Sequence, residues 1–241
     1  MSQILYFSEA KASQFVRPKR RLHFREGAFE LTIPLIGARF TATATSEGNE
    51  ITRKIEEIID SIEHSGRAAL WYEDPQVSDG DWVQFESKMA QILVTAGPYR
   101  MLFFGPDPLA TGSVALLLYG SPRHLLASPP DQNPTDIRDL DSYPTSLARM
   151  MQAISEDEQD PVNIRGRSAF ELGAMSMADR VYQHAFSFPA VRGYAQVVAN
   201  INSTDRIHFS PPNREPIRPS RLVVASPLYV EHSTDALPRE A

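Results

Sequence analysis

The chain is 241 residues long, is 42% hydrophobic and carries a formal net charge of −6. It contains no cysteine, which removes disulfides, thiolate catalysis and cysteine-ligated zinc or iron–sulfur sites together. The negative balance opposes general adhesion to nucleic acid or to an anionic membrane, and a chain of this size can bury a core without staples.

The N-terminal stretch has no basic region followed by a continuous apolar one, so no signal peptide is expected. No apolar run reaches the length of a membrane span, and the expected location is the cytoplasm. "QILYFS" (3–8) is a short apolar and aromatic run between polar residues, the pattern of a buried strand. The stretch 17–25, "RPKRRLHFR", concentrates basic side chains around His23 and Phe24. A solvated loop is the expected role there, with nucleic-acid binding set against it by the overall charge. "FELTIPLI" (29–36) and "ARFTATAT" (38–45) alternate apolar with polar residues and read as a hairpin, with Pro34 confined to an edge or an unpaired position.

The clearest helix is "SEGNEITRKIEEIIDSIEHSG" (46–66), where Ile51, Ile55, Ile58, Ile59 and Ile62 form one apolar stripe. Strands are expected at "AALWYE" (68–73) and, half exposed, at "WVQFESKMAQILV" (82–94). "YRMLFF" (99–104) and "SVALLLYG" (113–120) are apolar enough to be adjacent central strands. The segment 128–143 is rich in proline and aspartate and reads as a mobile loop. Helices follow near 144–154 and 167–186, "YAQVVANIN" (194–202) stays ambiguous, and "RLVVASPLYV" (221–230) is a last apolar strand. A disordered tail is expected from about residue 232.

Strands mostly precede helices, and one strand returns at the end. This order predicts an α/β or α+β fold: a single domain over 1–241 with a mixed, mostly central sheet and flanking helices. The strands near 3–7, 99–104, 113–119 and 221–229 are expected inside the sheet, with the helix at 51–64 packed on it.

Several of these stretches, "LYFSEAK" (5–11), "IEEIIDSIEHSG" (55–66) with "EDP" (73–75), "AGPYRMLFFG" (96–105), "YGSPRH" (119–124) and "SPLYV" (226–230), stand in an order that resembles an uncharacterised bacterial family. That family is common in actinobacteria and is known as a domain of unknown function. The chain departs from it before "AGPY", where a tryptophan-containing segment is usual and "QILV" stands here. The resemblance implies no activity. It implies a neighbourhood of conflict or signalling genes.

Chemistry is concentrated at two strand ends. Gly120 follows a buried run and lets the chain turn or approach a ligand closely. Ser121, Arg123 and His124 come next, offering a hydroxyl, an anion-binding guanidinium and a titrating ring. Gly120, Ser121, Arg123 and His124 are therefore the candidate ligand-binding residues, with Gly120 ending a central strand and Ser121 to His124 expected to line a surface cleft. Ser8 and Lys11 lie just past the first strand, and serine with lysine can act as nucleophile and base. Ser8, Lys11 and His124 are the candidate catalytic residues.

The Gly-x-Ser-x-Gly elbow, Walker loop, GxGxxG fingerprint and HExxH helix are absent from the sequence. Asp131, Asp136, Asp139 and Asp141 do not have the spacing of a calcium loop. No cofactor and no metal are expected. The reading favours a non-enzymatic cytoplasmic module that recognises a small anionic ligand or a partner protein. The alternative is an enzyme acting on a phosphate-bearing or acyl substrate through Ser8, Lys11, Arg123 and His124.

Overall fold

The structure is a computed structural model and describes residues 3–15, 46–64, 69–107, 109, 112–126, 137–157, 167–202, 209 and 217–233. The basic stretch at 17–25, the predicted hairpin at 29–45 and the chain beyond 233 lie outside the described residues. The first half contains β1 (Ile4–Phe7), α1 (Glu9–Ala12), α2 (Ser46–His64), β2 (Leu70–Trp71), β3 (Trp82–Ala96), β4 (Tyr99–Pro106) and β5 (Val114–Gly120). A 3-10 turn, Pro122–His124, is followed by β6 (Arg138–Asp139), α3 (Pro144–Asp157), α4 (Arg167–His184), β7 (Ala190–Asn202) and β8 (Arg221–His232).

The strands form one mixed eight-stranded sheet in the order β2-β3-β7-β8-β5-β4-β6, with β1 paired to β8. This arrangement fits α+β. β3 also pairs with β4, which closes β3, β7, β8, β5 and β4 into a ring. The closure is visible at one peptide of β3. The Met89 N–H donates to Pro189 O at 3.0 Å, while Lys88 O accepts from the Asp107 N–H at 2.8 Å. The two groups of a trans peptide point opposite ways, so β7 and β4 lie on opposite edges of β3. Gly97, at φ 49°, makes the tight turn between β3 and β4.

Alternation along the ring strands separates two cores. Val83, Phe85, Leu102, Phe104, Leu116, Leu118 and Val223 belong to one buried cluster, whose members come from no helix. A closed sheet must turn one face inward, and this is that face. Met101, Phe103, Leu117 and Leu222 point outward and are covered by Leu147 and Met150 of α3 and by Ala178 and Val181 of α4. β5 is buried along its full length because both of its faces are covered.

α2 covers a third region. Ile55, Ile58 and Ile62 pack with Phe7, Tyr194 and Leu228, while Arg53–Glu57 and Lys54–Glu50 pair on the solvent side.

Several expectations change. β1 is not inside the sheet: it pairs with β8 and otherwise makes an isolated bridge, Tyr6 to Leu125. Its apolar run is explained by the helix on one side and the ring core on the other, with Phe7 and Tyr6 in different clusters. The predicted loop at 128–143 includes β6, held parallel to β4 by Arg138 N–H to Pro98 O at 2.7 Å. The ambiguous 194–202 segment is part of β7, because β8 and β3 flank it as strands.

Candidate functional site

β8 has two different partners along one edge. β5 runs parallel to it as far as Leu118 opposite Ala225. β1 runs antiparallel to it, with Phe7 opposite Tyr229. Ser226, Pro227 and Leu228 fall in the gap between them. The carboxyl ends of β1 and β5 therefore arrive at this gap from opposite directions, and each delivers the residues that follow it. A register shift in the β7–β8 ladder at Tyr194/Ala195 lies at the same place. Such a bulge re-aims side chains next to it.

Backbone bonds tie the two arriving segments down. The Ser8 N–H donates to Leu228 O at 2.8 Å, and the Leu126 N–H donates to Leu5 O at 3.0 Å. The single helical turn of α1 then brings Lys11 back over the gap, since residues three apart lie on one face.

A cavity of about 400 Å³ opens here, lined by Ser8, Lys11, His124, Asp141, Ser142 and Ser226 among others. Three of the sequence candidates, Ser8, Lys11 and His124, thus share one cavity. The other three do not line it. Gly120 is buried against Tyr6, and Ser121 is buried as well. Arg123 has a side chain 65% exposed and lies 3.6 Å from Asp139, whose other oxygen accepts from Arg100 at 2.6 Å. The expectation that Ser121 to His124 line one surface cleft is corrected: the 3-10 turn points its consecutive side chains in different directions, and only His124 reaches the cavity.

Lys11 is the electrostatic centre of the site. It is only 8% exposed, and its Nζ donates to Ser226 Oγ. Among the described residues, no carboxylate pairs with it. Burial pulls its pKa down to about 8. His124 is also shifted down, first by burial and then by the neighbouring Lys11 charge, with Asp141 acting the other way. It is therefore neutral at pH 7 and can accept a proton.

Tyr6 supports this wall of the cavity. Its ring meets that of His124 edge-on at 5.6 Å, and its hydroxyl shares a hydrogen bond with Ser142 at 3.2 Å. Burial pushes its pKa up to about 12, so it remains a neutral phenol. Ser142 Oγ also accepts from the Ser121 N–H at 3.3 Å. Ser121 thus holds the wall through its backbone.

Sequence reasoning missed Ser226 and Ser142 and weighed Asp141 only as a calcium ligand, not as part of this site. One signal was present for Ser226: a serine before proline interrupts the otherwise apolar run of β8. For Asp141 and Ser142 there was none, because their segment read as a loop.

A larger cavity, about 630 Å³, lies along β3 and the end of α4, with Leu93, Arg180, His184 and Phe186 in its lining. It holds no serine–lysine contact of the kind at Lys11. Among the described residues, no three His, Asp or Glu side chains gather as a metal site would require.

Residues 4–234 match a family described as a family of unknown function (DUF7019). No curated protein matches the chain, and no solved structure matches it.

Proposed function

The chain belongs to DUF7019, a family of unknown function, and we propose that it is a binding module for a small anionic ligand held in the Lys11 cavity. One observation carries this reading: a buried ammonium with no carboxylate partner among the described residues faces a cavity large enough for a metabolite. A buried charge without a counter-charge is costly, and a bound anion would relieve that cost. His124 and the hydroxyls of Ser8 and Ser226 would supply hydrogen bonds to the same anion. Arg123, paired with Asp139 outside the cavity, has no part in it.

The net charge of −6 favours a small ligand over a polyanion such as nucleic acid. The resemblance to an uncharacterised bacterial family supports a bacterial cytoplasm as the setting and a stress or defence system as the context. A partner protein that presents an acidic side chain to Lys11 would use the same chemistry. The ring of strands, in which β8 lies between β7 and β5 and also pairs with β1, supports reading 1–241 as a single domain.

Thermal denaturation with inorganic phosphate, acetate and a panel of phosphorylated and carboxylate metabolites tests the proposal. A ligand at about 100 times its dissociation constant should add about 2.7 kcal/mol of stability. Lys11→Met should remove the response. A wild type that no member of the panel stabilises would overturn the reading.

A further inference from the structure

We infer that Ser226 is a nucleophile and Lys11 its general base, and that the cavity hydrolyses small carboxylic esters or thioesters. The anion bound at Lys11 is then the carboxylate product, so the inference deepens the binding reading and rests on its cavity.

The geometry has the parts of a serine–lysine pair. Lys11 Nζ is hydrogen-bonded to Ser226 Oγ, across 215 positions of sequence. Ser226 is buried at 2% exposure but lines the cavity, and Lys11 closes over it from α1. A hydroxyl is a weak nucleophile until an adjacent group takes its proton, and a lysine does so only when it is desolvated enough to lose its charge near neutral pH. No carboxylate among the described residues holds Lys11 in its charged form. A structural lysine buried at this depth would be expected to have such a partner. Ser226 also lies where β8 is unpaired on one edge and bulged on the other, and a bulge re-aims the side chains next to it.

The steps balance within the site and one water. Ser226 Oγ bonds to the carbonyl carbon as its proton passes to the neutral Lys11 Nζ. The tetrahedral adduct collapses, the bond to the alkoxide or thiolate breaks, and that leaving group takes the proton from Lys11. Water then attacks the acyl carbon and gives a proton to Nζ. Collapse of this second adduct releases the carboxylic acid and returns the Lys11 proton to Ser226 Oγ. Ser8 and His124 border the same space and are positioned to donate hydrogen bonds to the carbonyl oxygen as it gains charge.

The test is labelling of the full chain with a small alkyl fluorophosphonate, followed by intact-mass measurement and peptide mapping. A single adduct on Ser226 is expected, forming faster as pH rises with a midpoint near 8, where Lys11 loses its proton. Ser226→Ala should give no adduct. Lys11→Arg keeps the cation and removes the base, and should slow labelling by at least about 100-fold. An unlabelled Ser226 in the folded wild type, or an adduct on another serine, would overturn the inference. So would a Lys11→Arg chain labelled as fast as the wild type. Labelling needs no anion recognition, so it can succeed where every anion fails to stabilise the protein, or fail where one succeeds.

Discussion

The Tyr6 hydroxyl fills the space that a side chain at position 120 would need. A Cβ built on Gly120 collides with Oη and Cζ of Tyr6. The glycine that ends β5 is therefore there for the benefit of β1, whose Tyr6 reaches across to Ser142 and His124. Gly120→Ala should destabilise the protein by about 1–3 kcal/mol, because the core has no room to give. Urea denaturation measures this. A change under about 0.5 kcal/mol would show that Tyr6 moves freely.

Lys11 should leave a signature in the pH dependence of stability. Its folded value is about 8, against 10.5 for an ordinary lysine. Between these values the unfolded chain binds a proton that the native chain does not, so stability rises with pH across this window. It is lost again as pH falls through 8. The full difference is worth about 3 kcal/mol. Tyr6 acts in the opposite direction above its ordinary value of 10.0, since its own folded value is raised to about 12. The gain is therefore best read between about pH 7.5 and about pH 9.5. Urea midpoints should increase over that interval in the wild type and stay level in Lys11→Met.

Arg123→Ala should change little. The side chain is 65% exposed, and Asp139 keeps its closer partner Arg100. Exposed ion pairs contribute less than about 1 kcal/mol. Ligand-induced stabilisation should match the wild type, since the guanidinium lies outside the cavity. A lost response in this variant would place the ligand over the 3-10 turn instead.

Ile58→Ala should be far more damaging. Ile58 is 1% exposed and joins α2 to the cluster containing Phe7 and Leu228. Truncating such a side chain costs about 2–5 kcal/mol. Phe7 precedes Ser8, and the Ser8 N–H is bonded to Leu228 O, so this cluster also anchors the site. Calorimetric unfolding and anion-induced stabilisation should weaken together.

The sequence by itself determined which stretches would be buried and on how many faces. The isoleucine stripe of α2, the unbroken apolar run of β5 and the mostly apolar run of β8 each needed only their own residues to be read, because burial on a helix face or a pleated strand is periodic along the chain. Ser8 and Lys11 were legible as a pair because both follow the first apolar run and serine with lysine can act as nucleophile and base. Ring closure and the Lys11–Ser226 contact were decided only by tertiary structure. Periodicity says which face of a strand is covered, yet it does not name the strand that lies beside it. β1 pairs with β8 across more than 200 positions, and the gap that holds Ser226 exists only because β1 and β5 stop short of each other along that strand.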